Sequence, residues 1–423
     1  MNQPPFDVSL PLTRRNGLRA LAGAAALACE IPARLALAAP SNTKDNSQQR
    51  LVVIMLRGAL DGLAAVPATG DPAWADLRGH AEAAARNQAL ASATATANAT
   101  AAAAGIAVTQ ATQMPLDTTF SLHPALATLH QWYLQEDLLV VHAVASPYRE
   151  RSHFDAQQLL ESGGDRPFVQ TTGWLGRALQ STGQPALALT AAMPLALRGA
   201  DSASTWTPAG RASNHQDLMT RVAQMYSDDV QLANALSQAM GQNDMGMGMG
   251  MGLGANDGPG LIGLARQAGK FLSDPKGPRV AWLEAGGWDT HTQQAGRLGR
   301  LLPSLDEALS ALRNTLGLNW ASTTVLVMTE FGRSAALNGS GGTDHGTGGV
   351  AFLAGGEVAG GRVVADWPGL ARGQLFDGRD LKPTLDIRRL IGPVLQRQFS
   401  FGASGMERIL PGAPTGLLDL YRT

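Results

Sequence analysis

Five short runs of consecutive apolar residues, each bounded by turn formers, constrain this chain more than any other feature. They are Leu51-Val52-Val53-Ile54-Met55-Leu56 before Arg57-Gly58, Leu138 to Val144, Arg279-Val280-Ala281-Trp282-Leu283 before Glu284-Ala285-Gly286-Gly287, Thr323 to Thr329, and Val350 to Ala354. A strand with one solvated face alternates apolar and polar side chains; one that is apolar at consecutive positions is covered on both faces. The run 323–329 is the plainest, because β-branched residues dominate it. Helical patterns fall between the runs. His123 to Leu134 repeats apolar residues after Pro124, a residue suited to a first helical turn. Ser152 to Leu160 opens on a serine of N-cap type. Gln293 to Leu316 carries leucine at 298, 301, 302, 305, 309 and 312, with Pro303 inside the stripe, which predicts a kink or a split. A last helix is expected from Asp386. This alternation predicts an α/β fold: a doubly wound, mostly parallel sheet with helices on both faces.

The N-terminus reads as a targeting peptide. Thr13-Arg14-Arg15-Asn16-Gly17-Leu18-Arg19 precedes an alanine-rich apolar run from Ala20 to Cys29, too short to span a bilayer. The arginine pair at that place predicts a twin-arginine signal over residues 1–38, passage through the twin-arginine translocase, and a periplasmic or secreted destination. Ala36-Leu37-Ala38 resembles a signal-peptidase site, and Ala26-Leu27-Ala28-Cys29 weakly resembles a lipoprotein box. Cys29 is the sole cysteine, so cleavage after Ala38 leaves no thiol chemistry and no disulfide. Residues 39–423 are expected to form a single α/β domain. Two low-complexity insertions interrupt it, one near 81–113 and one near 242–257. The second contains Met-Gly repeats at 245–254, either a flexible loop or a soft-sulfur site of the kind copper takes.

The charge balance excludes one class of partner. The chain has 33 basic and 34 acidic residues, a net −1, which does not suit nucleic-acid binding. No run of 18 apolar residues follows the signal, so no membrane span is expected in the mature chain. There is no G-x-S-x-G elbow and no H-E-x-x-H motif.

In a doubly wound sheet, ligands bind at the carboxyl ends of the strands. Acidic and imidazole residues collect there. Asp61 lies past the first run, Ser152-His153-Phe154-Asp155 past the second, Asp289-Thr290-His291 past the third and Glu330 past the fourth; Asp344-His345 precedes the fifth. Carboxylate oxygens and imidazole nitrogens converging from several strand ends are what a divalent metal needs. Each has a structural alternative. Asp61 could hold a turn, Asp289 could cap a helix beside a surface histidine, and Glu330 could pair with Arg333. His153 could be a core histidine and His345 a solvated one. His80, His123, His130, His142 and His215 read as structural or surface residues.

The joint pattern is more specific. Leu56-Arg57-Gly58-Ala59-Leu60-Asp61-Gly62, Arg151-Ser152-His153-Phe154-Asp155, Gly173-Trp174-Leu175-Gly176-Arg177, Gly286-Gly287-Trp288-Asp289-Thr290-His291, Thr329-Glu330-Phe331-Gly332-Arg333 and Thr343-Asp344-His345-Gly346 together resemble the bacterial family called domain of unknown function 1501. That family resembles the alkaline phosphatase and sulfatase superfamily. The resemblance implies a doubly wound fold and two divalent metals that cleave phosphate or sulfate esters. It assigns Asp61, Asp289, His291 and His345 to metal, and Ser152 as a nucleophile at a helix start. Where the superfamily has an Asp-His pair, this chain has Glu330-Phe331; alternatively Asp344-His345 is that pair and no histidine follows. Either way one ligand is missing.

The expected site is therefore Asp61, Asp289, His291, Glu330, Asp344 and His345 around one or two divalent ions (zinc, calcium, magnesium or manganese). Ser152 attacks, His153 acts as general acid, and Arg151 or Arg333 binds non-bridging oxygens of an anionic ester or glycan. The other expectation is an envelope binding or assembly protein with an incomplete site on the same fold.

Overall fold

The computed structural model describes residues 48–79, 113–208 and 260–422. The signal segment with Cys29, residues 81–112, the methionine–glycine run, His80 and His215 lie outside them.

All five apolar runs are strands of one sheet. In chain order the sheet strands are β1 (Arg50–Leu56), β2 (Leu138–Ala145), β3 (Ala186–Ala188), β4 (Ala203–Thr205), β5 (Val280–Ala285), β6 (Thr323–Thr329), β7 (Gly349–Gly355), β8 (Arg362–Val364) and β9 (Leu385–Asp386). They lie in the order β8-β2-β7-β6-β1-β5-β3-β4, with β9 also paired to β2. Every pairing is parallel except the two made by β7, which runs against both β2 and β6. The expected mostly parallel sheet is thus present. Four short strands join it that the apolar runs did not announce.

Period-two alternation sends each strand into two cores. Val52, Ile54 and Leu56 of β1 enter one core, and Leu51, Val53 and Met55 enter the other. Helices α1 (Gly62–Ala65), α2 (Ala127–Leu134), α3 (His153–Ser162), α4 (Trp174–Thr182), α5 (Leu261–Ser273), α6 (Gln294–Leu316), α7 (Arg388–Phe399) and α8 (Ala403–Ile409) cover both faces. Leu298, Leu302, Leu305, Leu309 and Leu312 of α6 bury into the first core; Leu175 and Leu179 of α4, with Leu390, Ile391 and Val394 of α7, bury into the second. Each fully buried leucine contributes about 1.5–3 kcal/mol relative to exposure.

Two helical expectations change. α6 runs unbroken from Gln294 to Leu316 with Pro303 inside. Pro303 and Gly299 are both exposed, so the carbonyl that loses its partner lies on the solvent side of the helix. α2 starts at Ala127 rather than near His123, because the His123 ring accepts the Ala125 N–H (3.1 Å) and holds the preceding residues in a turn. Among the described residues no helix is long and apolar enough to cross a membrane.

Candidate metal centre

Parallel β1, β2, β5 and β6 end at one edge of the sheet. β7 starts at that edge, because it runs the other way. The loop from β6 to β7 therefore leaves and returns at the same place. It brings Asp344 and His345 to the loops that follow β1, β2 and β5. Close approach of these loops requires glycine. At Gly58, φ is +111° and a Cβ would fall 2.5 Å from the Asp289 nitrogen; at Gly332 a Cβ would collide with the Gly348 carbonyl.

His153, Asp289 and His345 each bring one ligand atom within 4.8 Å of the others. His345 Nε2 lies 3.0 Å from His153 Nε2 and 2.9 Å from His291 Nε2. Asp289 Oδ1 is 3.0 Å from His291 Nε2 and 3.4 Å from His345 Nε2; Asp289 Oδ2 is 3.6 Å from His153 Nε2. Donors that each sit about 2.0–2.2 Å from one cation lie about 3–3.5 Å from each other. The four side chains are partly exposed, so the centre is open to solvent.

Hydrogen bonds fix the imidazole protons. His345 Nδ1 lies 2.9 Å from the Arg151 carbonyl, which can only accept, so Nδ1–H donates and Nε2 presents a lone pair. Burial, then the charge of His153, lowers the His345 pKa and keeps this ring neutral. His153 Nδ1–H donates to Glu330 Oε1 at 2.8 Å, which directs its Nε2 at His345 Nε2. This hydrogen bond to Glu330 raises the His153 pKa, with burial opposing it. The carboxylate that favours a proton on Nε2 equally favours a metal cation there. Two ring nitrogens aimed at each other across 3.0 Å, beside a carboxylate, fit a bound cation.

Asp289 is held ionised. Burial works against its charge, but the Arg333 hydrogen bond and charge, with His291 and His153, keep its pKa below the usual carboxylate value. Arg333 Nη1 donates to Asp289 Oδ1 at 2.5 Å, and Arg333 Nε donates to Thr343 Oγ1 at 3.1 Å.

The remaining expected site residues stand around this group rather than in it. Asp61 caps α1, accepting from Leu63 N and Ala64 N, and pairs with fully buried Arg78 at 2.8 Å. Its other oxygen-bound partner is Gln294 Nε2, at 2.7 Å. Glu330 accepts from Gly58 N (2.8 Å), His153 Nδ1, Gln157 Nε2 (3.0 Å) and Thr329 Oγ1 (3.0 Å), so it orients His153 from behind. Burial alone would raise the Glu330 pKa; those donors hold it below the usual value. Asp344 Oδ1 is 3.4 Å from His291 Nδ1, on the far side of that ring. Ser152 is the N-cap residue of α3 without a side-chain capping bond. Arg151 is tied to Asp377 (2.9 Å) and Asp380 (2.8 Å), and Arg333 to Asp289. Neither guanidinium is free of a carboxylate.

The pattern passed over several supporting residues. Gln157 bridges Arg57 and Glu330, and helical spacing offered a signal: it stands four residues after His153, on the same face of α3. Arg379 donates to the His345 carbonyl and pairs with buried Asp380 at 2.8 Å, a partnership no local motif announces.

Fold and cluster define an α/β protein with a candidate divalent-metal centre at the carboxyl edge of its sheet. The chain belongs to the family described as protein of unknown function DUF1501, whose model matches residues 48–410. Among curated proteins no relative matches. Similar solved structures include Ps i-CgsB in complex with k-i-k-neocarrahexaose, at 10% identity over 85% of this chain and 74% of that one, TM-score 0.41. The phosphonate monoester hydrolase of Agrobacterium radiobacter is 9% identical over 87% of this chain and 78% of its own, TM-score 0.36. Likenesses of this size assign no substrate to the present chain.

Proposed function

We propose that this chain is an exported, metal-dependent hydrolase of phosphate or sulfate esters, with a divalent cation held by His153, Asp289 and His345 and His291 alongside. One observation carries the reading: the Nε2 atoms of His153 and His345 face each other at 3.0 Å, with both Nδ1 atoms already spent on acceptors and Asp289 beside them. A divalent cation held there would supply Lewis acidity and lower the pKa of a water. The chain's own residues hold and orient. Glu330 and the Arg151 carbonyl set the two rings, and Arg333 keeps Asp289 charged and in place. Hydrolysis consumes one water: its oxygen bonds to phosphorus or sulfur, and the ester oxygen leaves with a proton. Ser152, the N-cap residue of α3 with no capping bond from its side chain, is the candidate nucleophile in place of water. Export rests on the Arg14-Arg15 signal alone and is checked by fractionating cells that carry Arg14→Lys and Arg15→Lys together.

A second reading, cation binding without turnover, draws support from Glu330. It stands where the superfamily supplies a ligand, yet four donors occupy it. Metal analysis of the purified protein, with turnover of phosphate and sulfate ester panels by wild type and Asp289→Asn, separates the readings. Bound metal with turnover that Asp289→Asn abolishes supports the hydrolase. Metal without turnover in the wild type supports the binder, and absence of metal removes both.

A further inference from the structure

Four arginines hydrogen-bond the cluster residues through side chain or backbone: Arg151, Arg297, Arg333 and Arg379. Three are neutralised. Arg151 pairs with Asp377 and Asp380, Arg333 with Asp289, and Arg379 with Asp380. Arg297 differs. Among the described residues its guanidinium donates to backbone carbonyls alone, Asp289 O at 3.0 Å and Gly287 O at 3.4 Å, and no carboxylate pairs with it.

The position is fixed and the space beside it is open. Arg297 lies in the first turn of α6. That turn is pinned by Gln294, which donates to Asp61 at 2.7 Å and accepts from Thr290 Oγ1 at 2.7 Å. Arg297 is half-buried, its Nη2 contact with Gly287 O is exposed, and a Cβ at neighbouring Gly296 would meet nothing within 4 Å. A partly exposed guanidinium on a pinned backbone, with no carboxylate partner among the described residues, is arranged to receive an anion.

We infer that Arg297 is the anion-reading residue of this centre, taking the non-bridging oxygens of a phosphate or sulfate group while the ester bond lies over the histidine cluster. This rests on the hydrolase reading for its location, but it is tested separately. Arg297 replaces Arg151 and Arg333 in that role, because their guanidinium groups are already committed to carboxylates.

The test is calorimetric titration of inorganic phosphate, and then sulfate, into the full protein at fixed ionic strength, with and without added manganese. Arg297→Ala is expected to weaken phosphate binding at least tenfold in both states, and Arg297→Lys to recover part of the loss. Arg300→Ala removes the same charge one turn further along α6 and is expected to stay within twofold of wild type. Metal content should be the same in all four proteins. Equal phosphate affinity in wild type and Arg297→Ala overturns the inference, as does no phosphate binding by wild type or an equal loss in Arg300→Ala. Failure to take up manganese, and zinc, calcium or magnesium in its place, strikes the hydrolase reading instead, and the comparison in metal-free protein still decides for or against Arg297.

Discussion

Asp61 and Asp289 follow neighbouring strands at the same edge of the sheet, and a hydrogen-bond chain joins them. Gln294 bonds Asp61 and accepts from Thr290 and Thr343; Arg333 donates to Thr343 and reaches Asp289. Yet the Asp61 side chain is 1% exposed and bidentate with Arg78, while that of Asp289 is 40% exposed and faces three imidazoles. A carboxylate after a strand is thus compatible with two fates. A buried arginine closes one off as scaffold, and the arginine behind the other leaves its front open. What surrounds the carboxylate, rather than its place in the chain, decides which becomes a candidate site.

The largest expected effect breaks the closed region. Arg78→Met leaves Asp61 buried with no cation and should cost about 3–5 kcal/mol in urea unfolding. Cation uptake per folded molecule should persist; its loss would show that the two regions act as one site. Next comes pH. His142 packs near Asp61, fully buried, with Nε2–H donating to the Val66 carbonyl and Nδ1 accepting from Ala143 N, and burial lowers its pKa to about 4. The unfolded chain, with an imidazole near 6.5, binds the proton more readily. Stability should therefore fall as pH drops from about 6.5 to about 4, by about 3 kcal/mol from this group. Guanidinium unfolding at pH 7 and pH 4 should show that loss in wild type and not in His142→Phe. Equal losses would assign the pH dependence to other groups.

The sheet was legible because consecutive apolar residues report burial on both faces, and Val52/Leu51-type alternation then fills both cores without further instruction. The direction of β7 was not legible. Nothing in Gly349–Gly355 encodes it, yet it alone explains why Asp344 and His345, which precede a strand, reach an edge where the other site residues follow strands. Asp289, His291 and His345 are recognisable by residue type and position, and His153 and Glu330 by their place after strands. That the Glu330 carboxylate lies behind the His153 imidazole is not legible, because it depends on a 2.8 Å contact between residues 177 positions apart. Arg78, 17 residues after Asp61, sits in a short helical turn (Ala75–Gly79) that no periodicity announced.

The open region is sharpened by Glu330→Gln. The amide still accepts from His153 but removes the charge that favours a cation on its ring. Partners of this kind typically carry 10–100-fold in metal affinity, about 1.4–2.7 kcal/mol. Titration with manganese or zinc should show a loss in that range, with stoichiometry kept. Unchanged affinity would return Glu330 to a purely structural place.

The smallest expected effect belongs to Asp344, and it tests where the centre ends. Asp344 was an expected ligand, and it does touch a cluster histidine. But it meets His291 at Nδ1, 3.4 Å away, whereas the nitrogen facing the cluster is Nε2. Its side chain is 53% exposed and also accepts from Asn338 Nδ2 at 3.1 Å. The Asn338 hydrogen bond, with His291, lowers its pKa against the upward push of burial. A contact so solvated is worth at most about 1 kcal/mol, or about fivefold in a binding constant. Asp344→Asn should therefore leave cation affinity within about fivefold and unfolding within about 1 kcal/mol of wild type. A loss approaching that of Asp289→Asn would move the boundary outward through the His291 ring and make Asp344 part of the centre.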